Sequence, residues 1–398
     1  MTTATTRILN ISLAAFLLLP GCKQRENYSQ EVLERIHKVE NSLVIRGQED
    51  SLPGNLQERM AFHKTQGLSI AVINNYEVEW SKAYGWADIS EQRPVTTETR
   101  FQAASISKSL NALALLRLAH EQGLDLYANI NQHLNSWKFP YDSLSQGQII
   151  TIPHLLSHTA GLGVHGFPGY AVGDSLPSLT DVLDGKAPAN TAAVRSVFAP
   201  GIKYQYSGGG SSISQKIIED VTQQDYAQFM WETALKPLGM RHSSYAQPSQ
   251  IAPEFLATGY LRNDEEVAGK FHIYPEQAAA GLWTTPKDLA KFVIEMQKAY
   301  EGKSPKMLSQ EMVRLMLSPF IDQDINGQGQ FIGLGAFIEK KGEALYFQHS
   351  GSNEGFVCQY YGSLHTGKGL VIMTNANRSP VMRELIQSVA KVYNWEGF

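Results

Sequence analysis

The 398 residues predict an α/β protein of the α+β kind: an antiparallel sheet flanked by helices, with an all-helical subdomain inserted in the middle of the chain. Three observations predict it. A hairpin signal lies at Leu68–Trp86. The middle of the chain carries helical patterns and Pro-rich loops but few strand-like runs. The last part is a series of short apolar runs joined by tight turns, and short turns pair strands antiparallel. The simplest assembly brings the two ends into one sheet and leaves a groove between the sheet part and the helical part, where a site is expected.

Each element has its own reason. Val32, Leu33, Ile36, Val39 and Leu43 recur at helical spacing. Leu68–Ile73, then Asn74-Asn75, then a second run to Trp86 read as a hairpin, because Asn tolerates positive φ. Ser105–His120 is apolar on most sides, which marks a buried helix, and Gly123 terminates it. Ile213–Val221 and Tyr226–Leu235 are helical patterns. Thr285 caps a further helix with Pro286 at its first position and Asp288 placed to reach back. Strands follow at Phe331–Ile338, Ala344–Gln348, Phe356–Tyr361 and Leu370–Thr374, and Ser379-Pro380 opens a closing helix through Val392. The domain plan is therefore an α/β part at about 31–125 plus 270–398, with a helical part at about 126–269.

Composition narrows the function. Hydrophobic residues make up 43% and charged residues 18%, enough apolar material for a sizeable core. The net charge of −4 provides no basic excess for nucleic acid, so that class is set aside.

The beginning of the chain reads as an export signal over residues 1–21. Arg7 is the only charge before the apolar run Ile8–Leu19, which is too short to span a bilayer. The run ends in Leu19-Pro20-Gly21-Cys22, which resembles a bacterial lipobox. The resemblance implies a lipidated Cys22, a tether over residues 22–30 and a membrane anchor. Lys23 in place of Asp is similar to outer-membrane sorting facing the periplasm. An ordinary secreted protein with an incidental Cys22 is the alternative. Cys358 lies in a strand-like run and reads as a buried, inert thiol.

Ser105-Ile106-Ser107-Lys108 is the leading chemical feature. Residues three apart share a helix face. A serine at a helix start has a free backbone N–H and the favourable end of the helix dipole. Its hydroxyl is a weak nucleophile until a base takes the proton, and a buried lysine can share that role. The spacing is not unique: Ser388–Lys391 repeats it mid-helix, and is read as a solvated face. His154 and His158 lie four apart, with His165 beyond, but lack the Glu of a H-E-x-x-H metal site, so no metal is assigned. No G-x-S-x-G occurs, which argues against an α/β-hydrolase.

Context singles out the first copy. Phe101–Ala104 precedes it. Ile152–Leu162, Pro200–Gly208 with Tyr204-Gln205-Tyr206-Ser207, and His349–Phe356 follow in order. Together these segments resemble the class C β-lactamase-related serine hydrolases, a family that includes DD-peptidases, D-aminopeptidases and esterases. The resemblance runs from about Leu68 to Asn377. It implies a β-lactamase/transpeptidase-like fold, no cofactor, and a small-molecule or peptide substrate. By the same resemblance Ser105 is the nucleophile and Lys108 its partner. Tyr206 matches the Tyr of Y-x-N and would move the serine proton, its phenolate favoured by a nearby cation. His349-Ser350-Gly351 matches the third motif: His349 and Ser350 would face substrate and Gly351 would let substrate approach the backbone. The N–H of Ser352 with that of Ser105 would form the oxyanion hole. His365-Thr366-Gly367 fits the same pattern but reads as a turn.

Two departures shape the expected activity. Gly208 stands where the motif has Asn, and His349 where β-lactamases proper have Lys. Both point away from efficient β-lactamase action and toward small esters or peptides carrying D-residues. A β-lactamase or DD-carboxypeptidase is the second enzymatic reading, and a penicillin-binding sensor without turnover is the reading of another class.

Overall fold

The computed structural model describes residues 28–43 and 54–398. The export run, Cys22 and the tether up to residue 27 lie outside the described residues. In order, the chain forms α1 (Gln30–Glu40), α2 (Leu56–Phe62), β1 (Gly67–Asn74), β2 (Glu77–Asp88), β3 (Arg93–Pro94), β4 (Phe101–Gln102) and α3 (Ser107–Gln122). The helical stretch follows: α4 (Ile152–Leu156), α5 (Leu179–Asp184), α6 (Gly208–Thr222), α7 (Tyr226–Met230), α8 (Lys236–Leu238) and α9 (Gln277–Ala280). Then come β5 (Trp283–Thr284), α10 (Pro286–Tyr300), α11 (Gln310–Met316), β6 (Gln330–Ile332), β7 (Phe337–Lys341), β8 (Ala344–Asn353), β9 (Phe356–Ser363), β10 (Gly369–Thr374) and α12 (Pro380–Val392).

The two ends of the chain do meet in one sheet. Its order is β3-β2-β1-β10-β9-β8-β7-β6, with antiparallel neighbours throughout. The join is β1 on β10, from Leu68 opposite Thr374 to Ile73 opposite Gly369. Successive side chains of a strand point to opposite faces. Leu68, Ile70, Val72, Leu370 and Ile372 therefore pack on one side with Ile36 and Val39 of α1 and Leu385 and Val389 of α12. Ala71, Ile73, Phe347, Tyr360 and Val371 face the other way, into a core shared with α3, α6 and α10. With both faces covered, β1 and β10 are buried along almost their whole length.

The hairpin turn is Asn75-Tyr76, one residue later than expected, and both residues have positive φ (52° and 61°), as a two-residue turn demands. The buried helix expected from Ser105 onward is α3, closed by Gly123 in the left-handed conformation (φ 67°). Its buried polar residues are all partnered: Ser109 Oγ–H donates to Gly335 O at 2.6 Å, and Asn111 Nδ2 donates to Ser214 Oγ at 2.8 Å.

Several expectations need correction. The run Phe331–Ile338 is not one strand: it breaks between β6 and β7 around Gly333 and Gly335. There the backbone turns tightly onto α3, and a Cβ on Gly335 would sit 2.5 Å from Ala112 Cβ. α6 begins five residues before the apolar period does, because Ser207 caps it and lets three glycines enter the helix. Asp288 does not reach back to its own cap; it accepts from the His242 N–H (2.6 Å) and from Lys291 (2.6 Å). Ser388 is not solvated: it is buried, and its hydroxyl donates to Val39 O (2.8 Å), fastening α12 to α1. Leu43 lies beyond the end of α1, and Leu33 is 46% exposed.

Candidate active site

Ser105 lies in a single 3₁₀ turn, Ala104–Ile106, that feeds directly into α3. The turn is held on three sides. The Ala103 N–H donates to Leu282 O (2.8 Å), the Cys358 thiol donates to Ala103 O (3.0 Å), and the Leu282 N–H donates to Ser107 Oγ (3.0 Å). Ala104 has φ +48°, a left-handed conformation that costs a non-glycine residue energy and persists only where surroundings enforce it. Burial pushes the Cys358 thiol well above its usual range, so it stays protonated beneath the turn.

One helical turn on, Lys108 is buried (4% exposed), with its ammonium 3.0 Å from Ser105 Oγ. A second bond runs from Lys108 Nζ to Ala279 O (2.7 Å), so α9 fixes the lysine in place. The same Nζ lies 5.1 Å from the centroid of the Tyr206 ring. Tyr206, just ahead of α6, is flanked by imidazoles: His158 with ring centroids 4.2 Å apart and His165 at 4.9 Å. Burial, and then the charge of Lys108, hold the His158 imidazole neutral, well below its ordinary pKa. Its Nδ1 accepts the Ser207 N–H (3.2 Å), which leaves the proton on Nε2.

On β8, burial alternates from His349 onward. His349, Gly351 and Asn353 are buried, while Ser350 and Ser352 are exposed. β7 stops pairing at Phe337 opposite Gln348, so His349 onward forms an open strand edge. His349 is 2% exposed, and burial followed by the Lys108 charge lowers its pKa to about 3. Nδ1 donates to Ser350 O (2.6 Å), so Nε2 carries the lone pair, and that atom has no hydrogen-bond partner. A neutral imidazole that presents a lone pair cannot donate to a carboxylate.

Gly351 also has a packing reason of its own. A Cβ there would lie 2.3 Å from Ala103 O and 3.0 Å from Ala104 Cβ. The missing side chain makes room for the turn that carries Ser105 and so draws the edge of β8 against that residue. Asn353 locks the arrangement, donating to Gln102 Oε1 (2.8 Å) and Ala280 O (3.1 Å).

Ser105, Lys108, Tyr206, His349, Ser350, Gly351 and Ser352 all line one cleft of about 810 Å³. His365, the alternative match to the third motif, lies in the turn between β9 and β10, away from it. Sequence reasoning missed Ala279, whose backbone oxygen anchors Lys108. It also missed His158 and His165 as neighbours of Tyr206, since their spacing drew attention only as a metal pattern. A peptide carbonyl has no sequence signature, and the stacking of the rings exists only in the folded chain.

A buried lysine turned on a serine at the head of a buried helix, in a cleft between an antiparallel sheet and a helical segment, defines the serine β-lactamase fold. The chain belongs to the beta-lactamase family, whose sequence model matches residues 52–394. Protein flp of Staphylococcus aureus strain N315 is 27% identical over 320 residues, covering 78% of this chain and 60% of that protein. The chain thus spans 60% of the length of this relative. Esterase EstB of Burkholderia gladioli is 32% identical over 194 residues, 47% of this chain and 49% of the esterase. Among solved structures, the octameric penicillin-binding protein homologue from Pyrococcus abyssi matches with a TM-score of 0.73 and 24% identity, covering 86% of this chain and 76% of that one. D-amino acid amidase from Ochrobactrum anthropi SV3, complexed with L-phenylalanine amide, matches with a TM-score of 0.70 and 20% identity, covering 92% and 99%. These two likenesses establish the shared fold.

Proposed function

We propose that the chain is a serine hydrolase that works through an acyl-enzyme on Ser105 and acts on small esters or on peptides carrying D-residues. The observation that carries this reading is the contact of Lys108 Nζ with Ser105 Oγ at 3.0 Å, on a lysine already fixed by Ala279 O. Ser105 Oγ bonds to the substrate carbonyl carbon while its proton passes to Tyr206, with Lys108 stabilising the charge. The backbone N–H groups of Ser105 and Ser352 receive the developing oxyanion. The bond to the leaving group breaks as Tyr206 returns the proton to it. Water then attacks the acyl carbon, the bond from that carbon to Ser105 Oγ breaks, one proton of the water passes to Oγ, and the acid is released.

The neutral His349 supports an ester or neutral peptide substrate, because it provides no charge for the carboxylate of a β-lactam. Two similar proteins, an esterase and a D-amino acid amidase, fit the same reading. The test is Ser105→Ala on a p-nitrophenyl ester: turnover is expected to vanish, and full activity would overturn the assignment. A panel adding a chromogenic cephalosporin and a D-Ala-D-Ala peptide ranks the substrates, and highest kcat/KM on the cephalosporin would favour β-lactamase action instead. We also propose export and lipid anchoring at Cys22; a Cys22→Ala variant is expected to lose incorporation of labelled fatty acid and leave the membrane fraction.

A further inference from the structure

We infer that the segment His165-Gly166-Phe167, seated on Gly208, is the specificity-determining wall of the cleft, and that it selects esters with a flat, apolar acyl group over acylamido substrates. The inference rests on the hydrolase reading above. A Cβ at position 208 would meet Phe167 Cε2 at 3.0 Å and His165 O at 3.2 Å, so the loop occupies the place where a side chain would project. Gly208 itself does not line the cleft, whereas His165, Gly166 and Phe167 do.

The loop also consumes the polar groups that could otherwise serve a substrate amide. The first N–H groups of a helix are open donors unless something caps them. Here the Gly208 N–H donates to His165 O (3.0 Å), the Gly209 N–H to Val164 O (3.1 Å), and the Gly210 N–H to Ser207 Oγ (3.1 Å). Nothing at the head of α6 remains to bind an amide carbonyl. What the wall offers is aromatic surface. Phe167 joins Tyr206, Tyr204 and Phe337 along the cleft. Flat rings bury large apolar area and favour stacked or edge-on partners.

The wall is fixed at both ends. Ser207 Oγ–H donates to Gly163 O (2.7 Å), and the Gly163 N–H donates to Arg195 O (3.0 Å). At the far end Pro168 O pairs with His272 Nδ1 (2.9 Å), and Asn190 Nδ2 donates to Gly169 O (2.8 Å). A wall anchored this way discriminates by shape without needing to close over the substrate.

The experiment compares p-nitrophenyl acetate, p-nitrophenyl phenylacetate and a chromogenic cephalosporin bearing an arylacetamido side chain, with wild type, Phe167→Ala and Gly208→Asn. Wild type is expected to prefer the phenylacetate. Phe167→Ala is expected to lower kcat/KM on the phenylacetate by about tenfold, the scale of one lost apolar pocket contact, with the acetate little changed. Gly208→Asn displaces Phe167 and restores an amide, so it is expected to show the same ester loss with a relative gain on the cephalosporin. Phe167 lies on a partly exposed loop, so its variant tests the idea even if the residue-208 variant folds poorly. Equal change on both esters, or no change on either, overturns the inference. Labelling of Ser105 by a small alkyl fluorophosphonate separates the outcomes: a labelled Ser105 with unchanged selectivity sinks only the wall, whereas turnover that survives Ser105→Ala sinks the hydrolase reading beneath it.

Discussion

Lys108 has two jobs that a single substitution can separate. Its ammonium touches Ser105 Oγ and is tied to Ala279 O, while its stem lies buried in the helix face. Lys108→Met keeps the stem and removes the charge. It is expected to lower kcat by about 10²–10³-fold, the range for losing one group that stabilises transition-state charge, with a near-native melting temperature. A fall in stability matching the fall in rate would assign the lysine to structure alone. Gly351 has the opposite character. A methyl group there meets backbone, which cannot swing away. Gly351→Ala is expected to cost at least about 2 kcal/mol in denaturant unfolding, since overpacking forces the backbone to shift. It should also weaken labelling of Ser105, because the clash falls on the turn that carries it. At His349 the expectation concerns pH. An imidazole with a pKa near 3 is neutral across the working range. Its titration therefore contributes no limb to a kcat/KM profile between pH 5 and 8, and His349→Gln should leave the shape of that profile unchanged.

Among the elements, α9 is short, yet it sets the geometry of the site. Ala279 lies in it, and its first turn is closed by N–H bonds to Glu276 O. The Glu276 carboxyl is fully buried with neither oxygen partnered, and burial raises its pKa to about 7. The folded chain holds this proton up to about pH 7, whereas an unfolded glutamate loses it near pH 4.5. Between those values the unfolded state binds fewer protons, so stability falls as pH rises. The loss approaches roughly 3 kcal/mol above pH 7, from the difference in pKa at about 1.4 kcal/mol per unit. Glu276→Gln removes the proton exchange. Relative to wild type it is expected to gain stability steadily from pH 4.5 to 7.5, in denaturation curves taken across that range; a constant difference would show that Glu276 does not ionise on unfolding. Element identity was legible where one force dominated. α3 was plain because it is apolar all round, and α12 because Ser379-Pro380 marks its start. The head of α6 was hidden: three glycines argue locally against helix, and only the Ser207 cap and the loop over Gly208 hold them in it.

At the scale of the whole molecule, the sheet is completed by strands more than 290 residues apart, β1 and β10, and the helices outside it clamp that closure. Arg59 of α2 grips Glu384 of α12 through two hydrogen bonds, 2.8 Å and 2.6 Å, and His63 approaches the same carboxylate at 2.8 Å. Both side chains of the ion pair are close to nine-tenths covered. Arg59→Ala leaves the Glu384 carboxylate with His63 as its remaining partner, and is expected to cost about 2 kcal/mol, toward the lower end for a buried pair because His63 stays and some solvent reaches it. Glu384 also lines the cleft, so the same variant should raise KM more than it lowers kcat. A double-mutant cycle with Glu384→Gln measures the coupling; additive effects would show that the clamp contributes nothing.

Tyr206 and the His349 strand were reached only through the resemblance to a family; what the sequence determined by itself was the order of parts, hairpin, helical segment, strands and closing helix, and the spacing of Ser105 and Lys108. These are local patterns, set by periodicity, caps and short motifs that a chain carries wherever it folds. The second serine–lysine pair shows the limit of such patterns. Ser388 and Lys391 share the spacing of Ser105 and Lys108, yet Ser388 is spent on Val39 O. Only the tertiary structure decided which serine faces a cleft, that Gly351 yields to the turn before Ser105, that His349 is uncharged, and that a loop fills the space over Gly208. Each of these depends on burial and on contacts between distant residues, and neither exists until the chain has closed on itself.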